Sequence, residues 1–458
     1  MSAFDEGFGP FAARMGGAGL PDVAIRNFAH HYAELRQGQS GTISEGELEP
    51  VETLPDADEL PPELRSLGRR VLPATVVIKL NGGLGTTMGL AKAKSLLEVR
   101  EGRSFLELTA LACREAKVPL VLMNSFATRD ESLAALAPLV HGSADLPLDF
   151  LQHRVPKVNR DTLQPASWPA NPGLEWCPPG HGDLYASMLS SGLLERLLAK
   201  GYEYAFVSNV DNLGAALDET ILGYVSENRI PLLMEVTERT AADRKGGHLA
   251  RRPGGGLLLR EAAQCAPEDR EAFGDIHRHR YFNTNSLWLE LSTLWELLKA
   301  GNGVMDLPLI VNAKTVDPRD RASTPVYQLE TAMGSAIAVV EGAQALRVPR
   351  SRFSPVKTTG DLLAVRSDAY QLTEDYRVVV NPGRERGPLD VVLDPAHYQH
   401  IDQLEARFPH GPPSLLECDR LEIRGDVRFG RGVRLVGEVV LENDGESPLL
   451  VEDGAVVR

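Results

Sequence analysis

From about residue 70 the chain alternates short apolar runs with helical stretches, and no other feature constrains its fold as strongly. The candidate strands are 75–80, 120–123, 204–208, 232–235 and 287–289, with candidate helices such as 184–200 and 217–228 between them. A strand apolar on both faces must be covered on both faces, which is the environment of a parallel sheet flanked by helices. The expected fold class is therefore α/β, a doubly wound sandwich. In such sheets ligands sit beyond the carboxyl ends of the strands, so polar residues just after a strand are the candidates for chemistry.

Two regions flank this core. Residues 21–37 place Ile25, Phe28, Tyr32 and Leu35 on one helical face. The acidic, proline-containing stretch 41–62 that follows reads as a connector laid on a surface. At the other end, Leu421, Val427, Val433 and Val439 recur every six residues, as do Ile423, Phe429, Leu435 and Leu441, with glycines at 425, 430, 432 and 437. A six-residue apolar repeat with turn glycines predicts a parallel β-helix, and a plain antiparallel meander is the alternative. The expected division is an N-terminal appendage at 1–68, a catalytic domain at 69–370 and a β-helix domain at 371–458.

Composition excludes several function classes. A formal charge of −15 over 458 residues denies the chain the basic surface of a general nucleic-acid binder. It does not exclude a phosphorylated small molecule, which local lysines and backbone N–H groups can cradle. Cys113, Cys177, Cys265 and Cys418 form no CxxC pair, so neither a zinc site nor a disulfide framework is expected. The first residues lack a basic start followed by an apolar stretch, and no apolar run nears the ~20 residues needed to cross a bilayer. A cytoplasmic protein with no membrane partner is expected.

Four clusters carry candidate chemistry. The first is Val76 to Leu80 running into Asn81-Gly82-Gly83-Leu84-Gly85-Thr86-Thr87-Met88-Gly89, with Lys94 behind it. Glycine lets backbone N–H groups approach phosphate oxygens without a Cβ in the way. The P-loop template fails because neither Gly82 nor Gly83 has a glycine five positions later, and Met88 breaks the dinucleotide fingerprint. A lysine behind the loop, with no acidic neighbour in sequence, suits a phosphate cation; a structural turn is the alternative. The second cluster is Cys177-Pro178-Pro179-Gly180-His181-Gly182-Asp183, a stiff loop that can press on a base or sugar, or a solvated turn capped by Asp183. The third, Asn209-Val210-Asp211-Asn212, follows a buried strand, where Asp211 suits Mg²⁺ on a triphosphate, or else Asp211 or Asn212 caps the next helix. The fourth surrounds Lys357, with Arg350 and Arg352 adding positive charge.

These residues resemble the UTP–glucose-1-phosphate uridylyltransferase family of eukaryotes and some bacteria. The resemblance rests on LNGGLGTTMG at 80–89, AKS at 93–95, MNSF at 123–126, PGHGDLY at 179–185, FVSNVDNLGA at 206–215, EVTERTAADRKGG at 235–247, FNTNSLW at 282–288, QLETAMGSAI at 328–337 and RSRFSPVKTTGDLL at 350–363. It spans roughly residues 25–442. It implies a Rossmann-like, GT-A-like nucleotidyltransferase core with a C-terminal left-handed β-helix. Carried over by position, Leu80, Asn81, Gly82 and Gly83 would line the nucleotide and Lys94 would contact its phosphates. Gln152, in FLQHRVPK, would read uracil and Gly180 would meet the same base. His181 would hold the sugar phosphate, Asn209 and Asp211 would bind substrate with Asp211 holding Mg²⁺, Asn283 and Asn285 would meet hexose hydroxyls, and Lys357 would bridge phosphates.

The implied reaction joins UTP to glucose 1-phosphate and releases pyrophosphate, by in-line attack of the sugar phosphate on the α-phosphorus. Related readings are a broad UDP-sugar pyrophosphorylase and a catalytically silent sugar-nucleotide sensor. Thr87 stands where UDP-N-acetylhexosamine pyrophosphorylases carry arginine. Three departures are visible: Leu90-Ala91-Lys92-Ala93-Lys94 lacks the family's Gly-Pro step, Arg154 to Lys157 reads RVPK where RYPR is usual, and the tail after Asn443 differs from the eukaryotic ending. A homo-oligomer through the C-terminal domain is compatible with the resemblance, but the eukaryotic octamer does not carry over.

Overall fold

A computed structural model describes residues 7–139 and 146–458, so residues 1–6 of the N-terminal appendage lie outside it. Among the described residues the centre is a nine-stranded sheet. Its strands are β1 (Thr75–Asn81), β2 (Leu120–Asn124), β3 (Asp149–Leu151), β4 (Tyr204–Asn209), β5 (Leu232–Glu238), β6 (His248–Arg251), β7 (Leu257–Arg260), β8 (Tyr281–Glu290) and β9 (Gln344–Arg347). The main path runs β7-β6-β8-β4-β1-β2-β3, and β5 joins it by pairing with β8 and β9. All five strand expectations fall on sheet strands.

The sheet is mixed rather than wholly parallel. Strands β3, β2, β1 and β4 are mutually parallel, whereas β8 runs antiparallel to β4 and β5, and β6 and β7 form an antiparallel pair. Apolar runs report burial on both faces and carry no direction, so the antiparallel strands are not distinguished by their sequence. Alternation along β1 sends Val76 and Ile78 into one apolar cluster and Val77 into the other, so both faces are covered. Each fully buried aliphatic side chain there contributes about 1.5–3 kcal/mol.

The expected helix at 184–200 is two helices, Leu184–Ser190 and Leu193–Ala199. Gly192 between them takes a left-handed φ of 71°, a conformation that breaks a helix and suits glycine. The N-terminal helix Asp22–Arg36 buries Phe28 and Tyr32 as its spacing predicted. The acidic connector lies across the sheet edge through backbone bridges Ile43–Cys265, Glu49–Arg251 and Asp56–Arg347. Its acids have partners: Glu45 accepts from the fully buried Arg260, and Asp56 and Asp58 accept from Arg347.

The last strands form a parallel stack, which overturns the antiparallel alternative. Leu421 pairs with Val439 and Ile423 with Leu441, one rung of 18 residues apart, and Val427 pairs with Leu449 in the same sense. Leu421, Val427, Val433 and Val439 are all buried, so the six-residue period is the period of inward-facing positions. Their apolar cluster also holds Val77, Phe105 and Leu122 from the sheet side of the molecule. Among the described residues no helix is long and apolar enough to cross a membrane.

Candidate active site

The parallel strands deliver four polar segments to one edge. Their carboxyl ends are aligned: Asn81 sits opposite Asn124, Asn124 opposite Leu151, and Leu80 opposite Asn209. The next residues in each chain segment are Gly82, Ser125, Gln152 and Val210-Asp211, side by side at the switch from strand to loop.

At one end of this edge, Gln152 donates from Nε2 to the Gly180 carbonyl at 2.9 Å. A Cβ on Gly82 would lie 2.9 Å from the Gln152 Oε1, so glycine leaves the amide its place. Ser125 Oγ donates to the Gly82 carbonyl at 3.0 Å and anchors the same turn. Asn81 is different: its amide donates to Asn124 Oδ1 at 2.7 Å and Ser132 Oγ at 2.8 Å, inside the protein. Only its backbone is available to a nucleotide, so the expectation for Asn81 narrows to the main chain. Leu80 packs against the central core and offers an apolar edge.

Gly83 is exposed, and a Cβ there would meet nothing within 4 Å. The protein itself therefore leaves open space at this position. The loop beyond it turns back on itself: Leu90 N–H donates to Gly85, and Lys94 N–H to the Gly83 carbonyl at 3.2 Å. That return brings the Lys94 ammonium to Asp211 Oδ2 at 2.5 Å, with both side chains largely buried. The absence of an acidic partner inferred for Lys94 is thus corrected, since its carboxylate comes from 117 residues away. Asp211 caps no helix. The next helix, Glu219–Glu227, is capped by Asp218, and the Asn212 amide group instead bonds Arg352, Gly214 and Ser354.

Lys357 arrives by a separate route. Val356 N–H donates to the Asp211 carbonyl at 3.2 Å, which pins the residue before Lys357 beside the ion pair. The Lys357 ammonium stands 5.6 Å from the Phe353 ring and 5.9 Å from the Phe282 ring, and among the described residues it makes no salt bridge. Arg350 and Arg352 do not add charge to the site. Arg350 is bound by Asp243 at 2.7 and 3.1 Å, and Arg352 by the fully buried Glu235 at 2.6 and 2.9 Å. Beneath them, the buried Lys79 ammonium donates to Ser208 Oγ at 2.6 Å and the Ala215 carbonyl at 2.8 Å. Burial lowers that lysine to about 8.

The loop carrying His181 is held by backbone. Thr331 N–H donates to Pro179 and Gly182 N–H to Thr331, while Gly180 takes φ 79° with its missing Cβ only 2.3 Å from the Thr331 oxygen. His181 Nδ1 accepts from Met333 N–H at 2.9 Å, which leaves the ring proton on Nε2. Burial lowers this imidazole to about 4, so it is a neutral donor at working pH. Asp183 does not cap its helix; its carboxylate accepts from the His153 backbone at 2.7 Å and Ser187 Oγ at 2.5 Å.

At the far end, strand β8 bulges against β5, where the register jumps between Glu235 and Val236. The extra residues are Thr284 and Asn285, and Asn285 takes a positive φ of 55°. The bulge turns Asn283 and Asn285 toward each other, Nδ2 to Oδ1 at 2.9 Å. Glu261 joins them and was missed in the sequence. Burial raises its carboxyl, against the opposing influence of the Asn283 amide and the charge of Lys357. No sequence motif marks Glu261; its place depends on the β6–β7 pair and on Gly247, where a Cβ would lie 2.6 Å from its Oε2.

The family model for UTP–glucose-1-phosphate uridylyltransferase matches residues 25–436. The chain belongs to this family. It is 40% identical over 403 residues to the probable UTP–glucose-1-phosphate uridylyltransferase of Schizosaccharomyces pombe, covering 86% of this chain and 78% of that one. The potato (Solanum tuberosum) uridylyltransferase is likewise 40% identical over 415 residues, covering 89% and 84%. A solved mutant of UDP-glucose pyrophosphorylase from Leishmania major superposes with a TM-score of 0.93 at 43% identity, over 100% of this chain and 98% of that one. Another mutant of the Leishmania enzyme, in complex with UDP-glucose, gives 0.92 over 99% and 98%.

Proposed function

We propose that this uridylyltransferase-family chain converts UTP and α-D-glucose 1-phosphate to UDP-glucose and pyrophosphate. The observation that carries the reading is the meeting of Gly83, Lys94 and Asp211 beside the Lys357 segment, at the carboxyl ends of β1 and β4. Gln152 and the backbone of Gly82 and Gly180 would take the uracil. Its amide carries both a donor and an acceptor, as recognition of a uracil edge requires. Neutral His181 would donate from Nε2 to the sugar phosphate. Asn209, Asn283, Asn285 and Glu261 would meet the sugar side.

The attacking group is a sugar phosphate oxygen, already anionic at neutral pH, so no strong base is needed. A bond forms from that oxygen to the α-phosphorus as the bond to the pyrophosphate oxygen breaks. The chain's part is to align the two phosphates and to spread cationic charge over the bridging oxygens. Lys94 and Asp211 neutralise each other in the free protein; with substrate, Lys94 would turn to the phosphates and release the Asp211 carboxylate. That carboxylate fits Mg²⁺, which takes one or two carboxylates together with phosphate oxygens and water. When bound there, Mg²⁺ supplies further neutralisation of the triphosphate.

The C-terminal rungs we assign to a left-handed β-helix, supported by the uniform parallel pairing and the six-residue inward period. A pyrophosphate-release assay with UTP, Mg²⁺ and a panel of hexose 1-phosphates tests the reaction. Release with glucose 1-phosphate well above galactose 1-phosphate is expected. Equal rates would make the chain a broad UDP-sugar pyrophosphorylase, and no release with any sugar would make it a sensor.

A further inference from the structure

Away from the nucleotide edge, the helix Asp22–Arg36 carries His30, His31 and Glu34 on the side facing the loop 301–306. Offered donor atoms from these three residues lie within 4.8 Å of one another. His31 Nδ1 is 2.8 Å and His30 Nε2 3.9 Å from Glu34 Oε2. The spacings i to i+3 and i to i+4 explain why both imidazoles reach one carboxylate. Asp306 adds a second carboxylate from the loop, 2.8 Å from His30 Nε2.

The scaffold is tied down independently of these contacts. Asn27 Nδ2 donates to the Gly303 carbonyl at 2.8 Å, and Arg26 Nε to that of Asn302 at 3.1 Å. A Cβ on Gly303 would press Val23 at 3.2 Å, so the loop lies close on the helix. Among the described residues neither carboxylate is paired with a lysine or arginine. Two anions therefore face two imidazoles with no permanent cation between them.

We propose that His30, His31, Glu34 and Asp306 form a site for a divalent transition-metal ion of the zinc class, separate from the Asp211 site. Two imidazole nitrogens with carboxylate oxygens are a zinc-class donor set, whereas Mg²⁺ and Ca²⁺ prefer oxygen alone. Around a tetrahedral ion such donors stand ~3.3 Å apart, so a small contraction would close His30, His31 and Glu34 on one ion, with Asp306 swinging in from beside His30. The ion would clamp the N-terminal helix to the loop that follows the helix Leu291–Ala300.

The test uses the full chain, stripped of metal and held in millimolar Mg²⁺ to occupy oxygen-only sites. Titration with Zn²⁺ by calorimetry should show one ion per chain, and Co²⁺ should give the visible absorption of a four- or five-coordinate nitrogen–oxygen site. His30→Ala and His31→Ala should each weaken binding by more than the about 10–100-fold caused by losing an outer-sphere partner. Asp306→Asn, which keeps both imidazoles, should weaken Zn²⁺ less, and it keeps the inference testable if a histidine variant fails to fold. Affinity should also fall with acid, because protons compete for the imidazoles. No 1:1 binding, or binding unchanged in the double variant His30→Ala/His31→Ala, would overturn the proposal. Neither result depends on uridylyl transfer, which is assayed separately.

Discussion

His181 has one ring nitrogen committed to Met333 and one free to donate, and its chemistry follows from that division. Burial holds it at about 4, below the ordinary imidazole value of 6.5, so the folded chain keeps it neutral where the unfolded chain protonates it. The group therefore costs no stability above pH 6.5, and an increasing amount as pH falls from there to about 4. Comparing thermal unfolding of the wild type with His181→Asn should show the wild type losing ground across that window. A constant gap at every pH would mean that the imidazole is not held neutral. Gly180 is a backbone requirement: Gly180→Ala adds strain at φ 79° and a clash with Thr331. It should lower unfolding stability by about 2 kcal/mol, measured by denaturant titration, with the KM for UTP rising as the backbone carbonyl that accepts from Gln152 is displaced. Residue types in the loops were legible in the sequence, but pairings were not. Lys94 read as unpartnered and Arg350 and Arg352 as free charge, because Asp211, Asp243 and Glu235 reach them only through the fold.

Segments 209–215 and 350–357 work as one element. The buried Arg352–Glu235 pair, shared with Trp288 Nε1 and the Ala216 carbonyl, fastens the second segment to the sheet. Removing one partner leaves an uncompensated buried charge, so Arg352→Met should destabilise the chain by about 3–5 kcal/mol in chemical denaturation. A loss below 1 kcal/mol would mean that the segment is held elsewhere. The six-residue repeat announced the C-terminal stack because each rung needs the same inward position filled. The break at Gly192 is a local glycine signal masked by the apolar helical spacing on either side, whereas the bulge at Thr284-Asn285 was not announced, since it arises from strand pairing.

Over the whole molecule, the alternating apolar runs located the sheet and the site edge, because burial on two faces is written in composition. They did not give strand direction, so the antiparallel half carrying Asn283, Asn285 and Glu261 emerges only from the pairing. The two halves meet at Lys357, which lies beside Asp211 through Val356 and influences Glu261 across the site. In the proposed reaction Lys357 neutralises charge on the reacting phosphates and is not part of the core. The most direct test is steady-state turnover of Lys357→Ala with UTP, glucose 1-phosphate and Mg²⁺, with circular dichroism and unfolding midpoint measured on the same sample. The expected result is a native spectrum and midpoint with turnover reduced ~10³-fold or more. A folded variant that turned over UTP at near wild-type speed would contradict it.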